Sequence, residues 1–171
     1  MIASTVLAAL VGDRRIAWDD RIVDRDPAFQ LSDAAATNQV TLRDLFAHRS
    51  GLPDHAGDEL EDMGYRRDEI LRRLRYLNLG NRFRSVYNYT NFGLTAAAES
   101  VAAANGTDWA TLSEENIYRP LGMDDTSSRF ADFAARPNRA LGHVEVDGEY
   151  EAKYVREPDA QAPAGGVSAS V

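Results

Sequence analysis

Cysteine is absent from the 171-residue chain, which removes disulfides, thiolate catalysis and cysteine-ligated zinc together. That absence assigns no compartment, because cysteine-free chains occur on both sides of a membrane. Lysine is nearly absent as well, Lys153 being the only one. Long apolar runs are missing too, and a bilayer needs about 20 consecutive apolar residues. The apolar stretch within Met1 to Val11 is too short for that, lacks a basic leader and a small-residue cleavage pattern, and reads as a buried helix. No membrane span is expected.

Positive charge is also short: 19 Lys plus Arg stand against 27 Asp plus Glu, a net charge of -8 with a pI near 4.9. Such a balance repels phosphate backbones and argues against a nucleic-acid partner. The arginines cluster between Arg66 and Arg84, but Asp58, Glu59, Glu61, Asp62, Asp68 and Glu69 surround them, so a solvated, ion-paired helical face is expected. Neither a nucleotide fingerprint (GxGxxG or GxxxxGK[ST]) nor an HExxH metal motif occurs, and no cofactor or metal is expected. His48 reads as a helix-end residue bonded to a backbone carbonyl, His143 as a surface or hairpin residue. Asp124 and Asp125 are adjacent, and neighbours in sequence do not face one cleft as glycosidase carboxylates must.

What is present is mostly helical. A chain of this length can bury roughly two thirds of its unfolded surface as one domain. Ile2 to Val11 forms a helix expected to close at Gly12. Thr41-Leu42-Arg43-Asp44 is a capping box that starts a short helix with Leu42, Leu45 and Phe46 inward, stopped near His48 to Pro53. Asp54 to Gly64 is acidic and turn-rich, as a surface loop would be. Asp68 to Leu77 carries Ile70, Leu71, Leu74 and Leu77 on one face, with Asp68 and Arg72, and Glu69 and Arg73, spaced for ion pairs. Phe83 to Tyr87 reads as extended. Leu94 to Ala104 is an alanine-rich helix ended by Asn105-Gly106; Thr107 or Asp108 caps the next, which carries Trp109, Leu112 and Ile117 and ends at Pro120-Leu121-Gly122. Gly142 to Val155 alternates around Asp147-Gly148 as a hairpin does, and Pro158 to Val171 holds a glycine turn. The fold class is mainly α with short β segments.

The chemically suggestive stretch is Val86-Tyr87-Asn88-Tyr89-Thr90-Asn91-Phe92-Gly93-Leu94. Tyr89 and Asn91 set a proton-transferring hydroxyl and a hydrogen-bonding carboxamide two residues apart, just before a helix whose N-terminus fixes their direction. The plainer reading is a turn from loop into helix. As a base, Tyr89 needs a nearby positive charge, normally a lysine amine; as an acid, it protonates a leaving nitrogen. With one lysine in the chain, its partner must come from outside these residues.

Four blocks taken together extend this. Thr41 to Pro53 (TLRDLFAHRSGLP), Tyr89-Thr90-Asn91, Pro120-Leu121-Gly122-Met123 with Thr126, and Ala164-Gly165-Gly166-Val167-Ser168 resemble, in order and interval, the serine beta-lactamase-like family of class C beta-lactamases, D-alanyl-D-alanine carboxypeptidases and esterases. The resemblance runs from about Met1 to Val171. It implies the helical lobe, and its borders, of a beta-lactamase/transpeptidase-like fold with an incomplete sheet, so that 1–171 is a partial domain. It also implies that Tyr89 is the general base or acid and that Asn91 hydrogen-bonds the substrate acyl group.

The family's Ser-x-x-Lys nucleophile motif and its later Lys-Thr-Gly or His-x-Gly strand are not in this sequence. Ser4-Thr5-Val6-Leu7 has no lysine at the required place, and Ile2 to Val11 resembles the remainder of the nucleophile helix, with the lysine expected about one residue before Met1. The expectation is therefore a truncated or excised portion of a serine hydrolase. It would be inactive alone, would act in a longer protein on a small-molecule or peptide substrate with an amide or ester bond, and would pair with a complementing segment carrying Ser-x-x-Lys. The alternative is a non-catalytic binding or regulatory protein that retains the helical lobe.

Overall fold

The computed structural model describes residues 1–170; Val171, the last residue of the glycine-turn stretch, lies outside the described residues. Its first helix, α1 (Ile2–Gly12), buries Ala3, Val6, Leu7 and Leu10, the i, i+3, i+4, i+7 spacing of one helical face, and leaves Ser4, Thr5 and Ala8 exposed, so it is half-buried and not sealed all round. The expected glycine cap is corrected: Gly12 is the last helical residue, and the left-handed position falls two residues on, at Arg14 with φ 58°. Arg14 N–H donates to the Val11 carbonyl and Arg15 N–H to the Leu10 carbonyl, both at 3.0 Å, a Schellman closure made without glycine.

Helix α2 (Ala34–Gln39) is capped by Asp33, whose side chain accepts from the Ala36 amide at 2.6 Å. Helix α3 (Leu42–Phe46) begins with the expected capping box: the Asp44 amide donates to Thr41 Oγ1 at 3.2 Å and the Thr41 amide to Asp44 Oδ2 at 3.1 Å. The acidic stretch after Pro53 is not wholly loop. Gly57, at φ 97°, turns the chain into α4 (Asp58–Asp62), and a Cβ there would lie 2.9 Å from both Ile70 Cγ2 and Phe92 Cδ2.

Helix α5 (Arg67–Arg73) runs on as a 3-10 turn, Leu74–Tyr76, and buries Ile70 and Leu74. The ion pairs expected four residues apart do not form. Asp68 instead accepts from Arg66 at 3.2 and 3.1 Å, Arg73 donates to the Glu69 carbonyl at 3.0 Å, and Arg67 reaches Glu99 together with the Asp159 and Ala160 carbonyls. Only the Arg67 acceptors are tertiary; at Asp68 and Arg73 local contacts win, because an exposed pair along one helix gains only ~0.2–0.5 kcal/mol. Phe83 to Tyr87 is likewise turned and not extended, with Arg84 at φ 59°.

The centre of the molecule is α6 (Asn91–Ala104), packed against α3 and α5 and, further along the chain, α7 (Trp109–Ser113), which Asp108 and not Thr107 caps. Its alanines 96, 97, 98 and 102 let neighbouring backbones approach closely around Phe92 and Val101, and Gly106 at φ 68° ends it as expected. A π-helical stretch, Glu114–Tyr118, follows α7, and α8 (Phe130–Ala135) lies beyond it. Strands β1 (Val144–Val146) and β2 (Glu149–Glu151) form the expected hairpin; Asp147 and Gly148 both take positive φ, the I′ turn that matches strand twist. A 3-10 turn, Pro158–Gln161, leads into α9 (Ala162–Gly165), which packs on α6. Gly166 is required by proximity, since a Cβ there would sit 2.6 Å from Ala162 Cα.

Candidate active site

The site is assembled from three turns that meet at the N-terminus of α6. The first leaves α3 at His48, whose φ is 54°. The second, Pro53 to Asp58, contains His55, also left-handed at φ 55°. The third is the approach to Tyr89. Beneath the first and third lies Asp44, fully buried, a residue the sequence identified only as a cap. Its carboxylate accepts from Arg49 Nε at 2.8 Å, from Arg84 Nε at 3.0 Å and Nη2 at 2.8 Å, and from Thr41 Oγ1 at 2.9 Å. Burial pushes its pKa up, but the hydrogen bonds from Arg84, Thr41 and Arg49 together outweigh it and hold Asp44 below the ordinary carboxylate value. Backbone bonds complete the join: Arg84 N–H donates to the Arg49 carbonyl and Asn88 N–H to the His48 carbonyl, both at 2.9 Å.

Tyr89 and Asn91 sit on either side of Thr90, the N-cap of α6. Thr90 is sealed in the interior and its hydroxyl folds over Gly93, where any Cβ would collide with it. Tyr89 points the other way and is 39% exposed; Asn91 is partly buried. The pair is thus presented at an open face and not sealed among apolar neighbours.

Two histidines flank the phenol, with ring centroids 4.7 Å (His48) and 5.5 Å (His55) from that of Tyr89. The expectation for His48 is corrected: its ring bonds a backbone amide and not a carbonyl, Nδ1 accepting from Thr90 N–H at 3.2 Å. That bond requires a bare Nδ1, hence the Nε2–H tautomer, and burial lowers the His48 pKa against the opposing charge of Asp54. His55 behaves oppositely. Its hydrogen bond to Asp58 raises its pKa most, burial lowers it, and the charges of Asp54 and Asp58 raise it further. The His55 backbone N–H also donates to the Tyr89 carbonyl at 2.7 Å. Tyr89 therefore packs beside two imidazoles whose pKa values are shifted in opposite directions, and Asn91 Nδ2 donates to Asp58 Oδ2 at 3.0 Å.

His48, His55, Asp58 and the buried Asp44 escaped sequence reasoning as site residues. The only signal was their nearness to the glycine and proline of the 48–58 turns, and left-handed histidines are not legible from composition. Depressions that lie elsewhere include one of about 490 Å³ beside Tyr118, Ser127 and Arg129 and one of about 720 Å³ beside Arg67, Glu99 and Asp159. Among the described residues no group of three or more His, Cys, Asp or Glu side chains is placed to hold a metal ion, and no helix is long and apolar enough to cross a membrane.

A mainly helical body centred on α6, with a single two-stranded sheet among the described residues, matches part of a beta-lactamase/transpeptidase-like fold. The family model for Beta-lactamase matches residues 1–171, and the chain belongs to that family. Among curated relatives, the Unguisins hydrolase ungD' of Aspergillus campestris is 30% identical over 132 residues, covering 72% of this chain and 24% of that protein. Among solved structures, FmtA from Staphylococcus aureus superposes with a TM-score of 0.78 at 17% identity, over 97% of this chain and 45% of that one. The D-amino acid amidase from Ochrobactrum anthropi SV3, complexed with D-phenylalanine, gives 0.73 at 24% identity, over 98% and 50%. The chain thus spans about a quarter of that curated relative and about half of these structures.

Proposed function

We propose that residues 1–171 are part of a serine hydrolase domain that attacks an amide or ester through an acyl-enzyme, with Tyr89 as the proton-transferring group and Asn91 as a ligand for the substrate's acyl portion. The observation that carries this reading is the Tyr89–Asn91 turn, held open at the α6 N-terminus by the buried Thr90 and flanked by His48 and His55. A phenol is useful in acyl transfer when it moves a proton between nucleophile and leaving group, and both roles need an exposed hydroxyl on a rigid mount. His55, whose pKa Asp58 raises, packs beside the phenol and supplies positive charge there when protonated. Ser-x-x-Lys does not occur in these residues, so the chain alone has no activated nucleophile and turns over no substrate at a useful rate.

The test is covalent labelling with a serine-directed acylating probe. The chain alone should not label. Joined to segments carrying Ser-x-x-Lys and the downstream strand, it should label and hydrolyse, and Tyr89→Phe in that assembly should lower kcat by roughly 10²-fold or more, the contribution expected of a positioned acid or base. An unchanged rate in Tyr89→Phe refutes the assigned role. Saturable ligand binding without labelling in the joined protein would favour a non-catalytic binding protein instead.

A further inference from the structure

One oxygen, Asp58 Oδ2, meets both the Asn91 carboxamide, with Nδ2 at 3.0 Å, and the His55 imidazole, with Nδ1 at 2.9 Å. An ionised carboxylate only accepts, so the Asn91 atom facing it is the NH2 group and His55 carries its proton on Nδ1. Both donors belong to the open face: Asn91 follows Tyr89 by two residues, and the His55 ring lies against the Tyr89 ring. Asp58 itself is only a quarter exposed, and its second oxygen, Oδ1, is buried without a partner. A carboxylate whose sole task was to begin the one-turn α4 would turn both oxygens to water and avoid that cost.

We propose that Asp58 is a positioning residue for the Tyr89–Asn91 site. By engaging one N–H of Asn91 it leaves Oδ1 and the second N–H of the carboxamide for a ligand, and by engaging His55 it clamps an imidazole against the Tyr89 ring. This rests on the reading of Tyr89 and Asn91 given above. His48, whose ring also packs beside Tyr89, is held by the Thr90 amide and not by Asp58. The titratable groups around His55 are Asp58, Asp54, whose Oδ2 is 3.8 Å from His55 Nε2, and Tyr89.

The test is nitrogen-15 NMR on the 171-residue chain, reading the His55 tautomer and titration midpoint together with exchange of the Asn91 side-chain NH2 with water. In the unmodified chain neutral His55 should be the Nδ1–H tautomer, the minor form in water, and one Asn91 side-chain proton should exchange slowly. Asp58→Ala should return His55 to Nε2–H, lower its midpoint and speed Asn91 side-chain exchange at least tenfold. The His48 signals should stay unchanged, as evidence that the fold persists. Asp58→Asn keeps the shape but offers a single acceptor to two donors, so at least one of the two signatures must move even if the alanine variant fails to fold. His55 and Asn91 signals that match the unmodified chain in Asp58→Asn overturn the proposal. Tyr89→Phe separates the two readings: it should leave the Asp58 signatures intact. An unchanged hydrolysis rate in the joined protein carrying it would sink the catalytic assignment alone.

Discussion

Removing the Asp44 carboxylate should loosen the site from beneath. In Asp44→Ala the fully buried side chain that accepts from Thr41, Arg49 and Arg84 is lost, and with it half of the α3 capping box. Breaking a wholly buried pair costs ~3–5 kcal/mol, but the side chains of Arg49 and Arg84 are 42% and 40% exposed and regain water, which pulls the expectation toward the lower end. Adding loss of the cap, we expect ~3 kcal/mol, a fall in Tm of ~6–12 °C for a chain of this size. Urea unfolding followed by far-UV circular dichroism measures it. Amide exchange at Asn88, which donates to the His48 carbonyl, and at Thr90, which donates to the His48 ring, should accelerate more than exchange in the middle of α6. The pH dependence has a definite sign. The folded-state pKa of Asp44 lies below its unfolded value of about 3.9, so its stabilisation is present above that pH and lost as pH falls through the folded pKa. Asp44→Asn should flatten that part of the acid limb. A destabilisation under ~1 kcal/mol in Asp44→Ala, within the range of an ordinary exposed substitution, would refute the claim that this carboxylate joins the two turns.

Three further outcomes are expected. His48 is a base whose folded pKa is lowered by burial, so its contribution is present above its unfolded pKa of about 6.5 and is lost as pH falls from there through the folded value; His48→Gln should remove that slope from a plot of stability against pH. His55, raised chiefly by Asp58, has the opposite sign: its contribution is present below about 6.5 and is lost as pH rises through the folded value, and Asp58→Ala should shrink it in the same plot to what the Asp54 charge sustains. Gly93→Ala places a methyl group against the Thr90 hydroxyl and should cost ~1–3 kcal/mol in chemical unfolding, whereas the same change at Gly142, where the nearest atom to a Cβ is 3.9 Å away, should be near neutral.

The legible part of the structure was local. The capping box at Thr41–Asp44, the stop at Asn105-Gly106 and the Asp147-Gly148 turn are all written in residues close together in the chain, and each formed as read. Misreadings arose where a competing partner intervened. Phe83 to Tyr87 turned as Arg84 reaches Asp44, forty residues away, while the pairs expected at Asp68 and Glu69 lost to nearer acceptors and donors, Arg66 for Asp68 and the Glu69 carbonyl for Arg73. The Arg14 closure of α1 shows a conformation usually left to glycine being held by two backbone hydrogen bonds.

From its sequence alone the protein's mainly helical character, its family and the adjacency of Tyr89 and Asn91 were already determined, because helix signals, motif order and a two-residue spacing are properties of the chain itself. Only the tertiary structure decided that His48 and His55 flank the phenol, that Asp58 grips the carboxamide, and that Asp44 ties the turns beneath them. Those contacts join segments some forty residues apart, such as Asp44 with Arg84, and they depend on left-handed backbone at residues whose type does not announce it. Long-range pairing of polar groups is set by packing, which brings donor and acceptor together and removes the competing water.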